Sequence, residues 1–301
     1  MPDLSELRQG RRSVVAKAIS AIENNQEMAR KITKAIFADT GDATVIGITG
    51  PAGAGKSSMI DCIVPELAKE SKPAVLAVDP TSHITGGAIL GDRMRMTATS
   101  DSGAYIRSIA SRGARGAVSR SLRSSIRVLD YAGYDPIIIE SVGAGQTEVD
   151  IAGIADITVV VFNPNTGDSI QAIKAGITEI GDIYLINKSD LRGAAKLYDT
   201  VRDHIGDKGA AILKASSKTG KGIAEVVKAL RDATVSKAAA KSERRSDRLS
   251  AELQEIVLNN LTDKLNKMQE SNAPYQKYLK KVQAGKMSPF DAADRITKLM
   301  Q

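Results

Sequence analysis

The sequence predicts a doubly wound α/β domain, a mostly parallel sheet with helices on both faces, preceded and followed by helical segments. Three observations carry this reading. Unbroken apolar runs stand at residues 44–49, 74–78, 136–139, 157–162, 183–186 and 211–213. A strand with one wet face would alternate, so continuous runs indicate strands buried on both faces. The segments between them repeat apolar residues at helical spacing, the order of elements that parallel crossover connections produce. Finally, the first run ends in a glycine-rich turn at residues 50–55, placed between a strand and a helix.

Taken in order, Val14, Val15, Ala18, Ile19, Ile22, Met28, Ile32, Ala35 and Ile36 recur at helical spacing with a break at Asn24-Asn25. They predict two helices ahead of the sheet. Thr40-Gly41-Asp42 is a turn, after which the α/β pattern runs to about Thr234. Beyond it Leu249, Leu253, Ile256, Val257, Leu261, Leu265 and Met268 form one stripe on a long polar helix. Such a stripe has to pack on its own domain or on a second subunit. A break at residues 271–274, a helix around 275–282, a turn at Gly285 and an N-cap-like Ser288-Pro289-Phe290-Asp291 complete the chain. The domain reading is therefore residues 1–40 as an N-terminal helical segment, 41–234 as the α/β domain and 235–301 as a helical arm.

A chain of 301 residues can bury one substantial core. With 42% hydrophobic and 26% charged residues it falls outside the disordered and fibrous classes, and 3% aromatics without Trp makes its core aliphatic. The net charge of +7 would suit a polyanion if gathered on one face, but the basic stretches at 8–12 and 237–248 are interspersed with or flanked by acidic residues. They read as solvated helix faces, so neither nucleic acid nor membrane is expected as a partner. The single cysteine, Cys62, can form no intramolecular disulfide, which indicates a reducing compartment. No signal-peptide pattern opens the chain and nothing approaches the ~18 apolar residues of a membrane span. A soluble, cytoplasmic protein is expected.

Gly50-Pro51-Ala52-Gly53-Ala54-Gly55-Lys56-Ser57 fits the phosphate-loop pattern G-x-x-x-x-G-K-[ST] in its required strand-to-helix setting. The glycines let backbone N–H groups turn inward around phosphates, Lys56 sets a charge on the β and γ oxygens, and Ser57 offers an oxygen to Mg²⁺. Ser58 joins this phosphate-binding set. Asn187-Lys188-Ser189-Asp190 follows the run at 183–186, at the carboxyl end of the sheet where open α/β folds bind ligands. A carboxylate at Asp190 can accept hydrogen bonds from guanine N1–H and its exocyclic amine, which adenine cannot offer. This combination predicts GTP binding. Ser216, Ser217 and Lys218, after the last strand, form a second wall of the base site.

Asp79 and Glu140 each end an apolar run, where a carboxylate reaches Mg²⁺ or else caps a turn. Glu140-Ser141-Val142-Gly143 matches [DE]-x-x-G, whose glycine amide can sense the γ-phosphate and so tie residues 144–150 to the nucleotide. Ala144 follows that glycine where Ras-like proteins carry a water-orienting Gln, and Gln146 is the nearest amide. Slow unaided hydrolysis, stimulated by a partner, is the expectation.

Longer stretches go beyond a generic GTPase. They are Asp79-Pro80-Thr81-Ser82 with residues 85–96, Tyr105-Ile106-Arg107-Ser108-Ile109-Ala110-Ser111-Arg112-Gly113, and Glu140-Ser141-Val142-Gly143-Ala144-Gly145-Gln146-Thr147-Glu148. With Gly10-Arg11-Arg12, Gly167-Asp168, Lys174 and the tail at 274–294, they resemble the MeaB-type (ArgK/MMAA) family of G proteins over nearly the whole chain. The resemblance implies a P-loop NTPase fold of the SIMIBI type and a role as GTP-dependent chaperone of an adenosylcobalamin-dependent acyl-CoA mutase. It sets Lys56, Asp79, Asp92 and Glu140 at phosphate, magnesium and hydrolysis positions. It also sets residues 167–176 on a switch facing the mutase, with Lys174 completing the active site on contact. The helical arm would form a homodimer. Two positions depart from the family pattern: Ser169 stands where Asp or Glu is expected after Gly167-Asp168, and Ser217 stands where Ala is usual.

Three other readings compete. A nickel-delivering GTPase would need clustered soft ligands, whereas Cys62, His83 and His204 are far apart in sequence. A small-molecule kinase linked to amino-acid transport would need to accept ATP, against Asp190. A scaffold that holds GTP without hydrolysing it is the third.

Overall fold

Among the described residues seven strands build the sheet, and the central ones are buried along their whole length, with apolar residues pointing both ways. β1 (Val45–Thr49), β2 (Ala74–Asp79), β3 (Tyr105–Ala110), β4 (Ile137–Glu140), β5 (Ile157–Phe162), β6 (Ile183–Ile186) and β7 (Ala211–Lys214) lie in the order 3-2-4-1-5-6-7. Every pairing is parallel. The computed structural model describes residues 1–79, 96–110, 117–141, 151–164, 167–174, 176–206, 209–239, 241–271 and 273–300.

The helices divide between the two faces. α1 (Leu4–Arg8), α2 (Arg12–Asn24), α3 (Gln26–Ile36) and α6 (Ala117–Tyr131) pack where Ile137 and Ile139 point. The intervening Ile138 faces α4 (Lys56–Leu67) and α9 (Ile223–Ala238) on the other side. α7 (Gly167–Lys174) and α8 (Ala194–Ile205) cover Val160, Phe162, Tyr184 and Ile186. A short α5 (Thr97–Asp101) precedes β3. This is the doubly wound arrangement, and the strand order reverses direction around β1, the usual position of a ligand crevice.

Two differences from the sequence expectation have local causes. Three helices, not two, precede β1. Asp3 accepts from the Ser5 and Glu6 amides to start α1, and Gly10, at φ +69°, turns the chain before α2. The break at Asn25 is a cap, its Oδ1 accepting from the Met28 amide at 2.9 Å. The second difference is β3, which the apolar runs do not mark. Arg107 and Ser108 interrupt it, because at the sheet edge the Arg107 guanidinium leaves the strand to donate to Glu23 at 2.6 Å and Ser20 Oγ at 2.9 Å. Glu23 is 9% exposed, so the pair is internal to the layer that joins α2 to the sheet.

Met1–Ser242 and Glu243–Gln301 are two separate compact units. The second holds most of α10 (Lys241–Ser271) with α11 (Ala273–Gln283) and α12 (Pro289–Met300). Ser288 Oγ accepts from the Asp291 amide at 3.1 Å, so it caps α12 with Pro289 in the first helical position. On α10, Leu253, Val257 and Leu261 are all exposed, whereas Met268 is buried. Among the described residues no helix is long and apolar enough to cross a membrane.

Candidate functional site

The loop after β1 is shaped by close backbone approach. Gly50 has φ +140°, and a Cβ there would stand 2.1 Å from the Val161 carbonyl oxygen on β5. No other residue fits. Gly55, at φ +90°, stands at the N-cap of α4 and brings no capping side chain to its first turn, whose amides face the loop. A helix start of this kind accepts an anion readily. Lys56 is buried, and its Nζ folds back to donate to the Gly50 carbonyl at 2.8 Å and the Pro51 carbonyl at 3.2 Å. The ammonium is thereby held across the loop mouth, within reach of whatever the amides bind.

Three donors hold the outer side of the loop. Asn163 Nδ2 and Lys188 Nζ both donate to the Gly53 carbonyl, at 2.8 and 3.1 Å, and Asn187 Nδ2 donates to the Ala54 carbonyl at 3.0 Å. A trans peptide points its N–H opposite its carbonyl. Anchoring the Ala54 oxygen on Asn187 therefore turns the Gly55 N–H away from it. Asn187 itself is fully buried, and its Oδ1 accepts from the Lys188 and Ser217 amides at 2.7 and 3.2 Å. One side chain thus ties the phosphate loop to the ends of β6 and β7. Lys188 takes φ +54°, the one non-glycine residue with positive φ among those described. Strain of that kind persists where surrounding contacts over-determine it.

Asp190 is exposed at the rim, and Ser216 Oγ donates to its Oδ1 at 2.5 Å. Ser216 is buried and accepts in turn from the Thr219 amide at 3.3 Å, which fixes its hydroxyl. The Ser216 hydrogen bond is the main reason the Asp190 carboxyl titrates below the ordinary aspartate value; the Lys218 and Lys188 charges add to it. A depressed folded-state value means the charged form is favoured in the native site. That contribution is complete above the ordinary aspartate value and fades only as pH falls through the lowered one. Guanine-nucleotide affinity measured against pH should therefore hold through the usual aspartate range, and Ser216→Ala should move its acid midpoint upward. Coincident midpoints in the two proteins would show that Ser216 does not set the charge of Asp190.

Ser57, in the first turn of α4, donates through Oγ to Glu140 Oε1 at 2.6 Å. The last residue of β4 is thus brought to the foot of the phosphate loop, with Ser141 Oγ and Thr49 Oγ1 3.0 Å apart beside it. A hydroxyl and a carboxylate at this spacing form a hard oxygen donor set of the kind Mg²⁺ takes. Of the other residues singled out in the sequence, Pro51 and Ala54 are buried in the loop, while Ala52, Gly53 and Ser58 lie on its exposed side. Ser217 and Lys218 follow Ser216 in the turn after β7. Asp79 and Lys174 are the last residues of β2 and α7, and only their backbone is described. His83, Asp92, Gly143, Ala144 and Gln146 lie outside the described residues. Cys62 sits on α4, with its thiol 3.4 Å from the Ser217 carbonyl, and burial raises its pKa above the ordinary thiol value. His204 is on α8 and contacts the Thr200 carbonyl at 2.9 Å. Asn163 is the site residue that sequence reasoning misses, because a single Asn after an apolar run carries no motif.

A parallel sheet reversing at β1, a glycine loop running into α4 and polar groups converging from the ends of β5, β6 and β7 define the P-loop class of nucleotide-binding proteins. The family profile described as methylmalonyl Co-A mutase-associated GTPase MeaB matches residues 15–270, and the chain belongs to that family. It is a GTPase related to ArgK and to the methylmalonic aciduria type A proteins. A Pyrococcus horikoshii protein carrying a GTPase name is 38% identical over 307 residues, covering 97% of this chain and 96% of its own. The mouse mitochondrial methylmalonic aciduria type A homolog is 37% identical over 200 residues, 61% of this chain and 48% of that protein. Among solved structures, a LAO/AO transport system kinase superposes with a TM-score of 0.73 at 26% identity, covering 99% of this chain and 96% of that one. HypB of Helicobacter pylori, solved with nickel, reaches 0.50 at 16% identity over 73% of this chain and 94% of its own, and shares the fold.

Proposed function

We propose that this GTPase is a chaperone of an adenosylcobalamin-dependent acyl-CoA mutase, gating cofactor loading and release and guarding the enzyme against inactivation. The observation that carries the reading is the family match across residues 15–270, whose description names a mutase association. The mouse relative's methylmalonic aciduria name supports it. In this reading Pro51 to Ser58 wrap the triphosphate, Lys56 neutralises the β and γ oxygens, and Asp190 reads the guanine edge beside Ser216, Ser217 and Lys218. Ser57 and Glu140, with Asp79 and Asp92, would hold Mg²⁺, which when bound supplies charge neutralisation at the phosphates. Gly143 senses the γ-phosphate, and Lys174 completes the site when the mutase docks. The exposed face of α10 suits a second copy of the chain, making residues 235–301 a dimerisation arm, and the cytoplasm is the expected compartment.

Capture from the native source with the protein held in GTP or in GDP tests the partner. A cobalamin mutase should be recovered in at least one state, and adding it should speed single-turnover GTP hydrolysis by about 10³ or more. A mutase that neither binds nor accelerates hydrolysis would refute the chaperone role. Competition between GTP and ATP separates this reading from the transport-linked kinase named in the structural relative.

A further inference from the structure

We propose that Asn163 and Ser169 are positioning residues that couple the phosphate loop to helix α7, so that the nucleotide sets the stability of the segment carrying Lys174. The inference rests on the reading of residues 50–57 as the triphosphate site. Its physical basis is a continuous chain of hydrogen bonds in the interior. The β5–β6 ladder ends at Phe162, whose carbonyl accepts from the Asn187 amide at 2.8 Å. One residue further on, Asn163 leaves the sheet with both its backbone groups directed to one hydroxyl. Its amide donates to Ser169 Oγ at 3.2 Å, and that hydroxyl donates to the Asn163 carbonyl at 2.8 Å. The Asn163 side chain points the other way and donates to the Gly53 carbonyl in the phosphate loop at 2.8 Å. Both residues are 1% exposed, so water does not substitute for the bonds between Asn163 and Ser169.

Gly53 faces open space, a side chain there meeting nothing within 4 Å, and its carbonyl is held by both Asn163 and Lys188. A phosphate that draws the loop amides inward therefore acts on the Gly53 carbonyl, and through Asn163 on the third residue of α7. The chemistry of the contact suits the serine at position 169. A carboxylate there could accept from the Asn163 amide but could not donate to its carbonyl, whereas a hydroxyl does both. In this chain the link between loop and helix is a neutral, buried clasp.

The test is amide hydrogen exchange across α7 in GDP and in a non-hydrolysable GTP analogue, for the full chain and for Ser169→Ala, Ser169→Thr and Asn163→Asp. Two hydrogen bonds at stake predict about a tenfold difference between nucleotide states at residues 170–174 in the parent protein. Ser169→Ala should shrink it to within about twofold while leaving GDP affinity within about threefold. Ser169→Thr should restore it, and Asn163→Asp, which replaces the donor to Gly53 with an acceptor, should abolish it. An α7 that responds equally in the parent and in Ser169→Ala, or in neither, would overturn the coupling while leaving nucleotide binding intact. A parent protein that binds no guanine nucleotide would overturn the site reading and the coupling together.

Discussion

Asp190→Asn is expected to lower GTP affinity by about tenfold to a hundredfold and to favour xanthosine triphosphate in its place. The carboxylate offers two acceptors to two guanine donors. An amide keeps one acceptor and presents a donor to the exocyclic amine, which loses one charge-assisted hydrogen bond and adds a repulsive contact. Xanthine carries a carbonyl where guanine carries that amine, so the variant matches it. Displacement of a fluorescent guanine nucleotide by GTP, XTP and ATP measures all three. Because Ser216 Oγ lies 2.5 Å from Asp190 Oδ1, the side chain is held in place ahead of nucleotide binding and the exchange of base should come without refolding. Unchanged GTP affinity in the variant would remove Asp190 from the base contact.

Lys56→Ala should abolish most nucleotide-dependent stabilisation. Losing an ammonium from the β and γ oxygens removes about 3 kcal/mol, or roughly a hundredfold in affinity. By linkage, a ligand at about a hundred times its Kd adds ~2.7 kcal/mol to stability, and the same concentration after a hundredfold loss adds only ~0.4 kcal/mol. A thermal scan with and without GDP reads this directly. Because the bonds from Lys56 Nζ to the Gly50 and Pro51 carbonyls are buried, the apo variant should itself melt below the parent, and the GDP shift is read against the variant's own apo value. An undiminished GDP shift would place the phosphates elsewhere.

Those two residues are legible in the sequence because motif chemistry fixes residue type and spacing together. The same holds for the strands whose runs are apolar on both sides, such as β4 with its three isoleucines. β3 is hidden because an edge strand can place a charge on its pleat, and nothing in the sequence pairs Arg107 with Glu23, 84 positions away. The roles of Asn187 and Ser216 are only half visible. Spacing puts them near the base, but their buried contacts set them as braces for Ala54 and for Asp190. Asn163 and Ser169 leave no periodic trace at all, since a polar residue at a strand end is equally a turn former until its partners are known. Burial, not composition, is what distinguishes them.

The brace from Asn187 to the Ala54 carbonyl spans 133 positions of sequence, and its other end holds the amide of Ser217. During synthesis the phosphate loop leaves the ribosome long before either residue that shapes it. Nascent chains stalled short of β7 should consequently fail to retain guanine nucleotide, and those that have released α9 as well should retain it. Cellular GTP can then act only as a late ligand, locking a nearly finished domain and leaving its early intermediates to fold unaided.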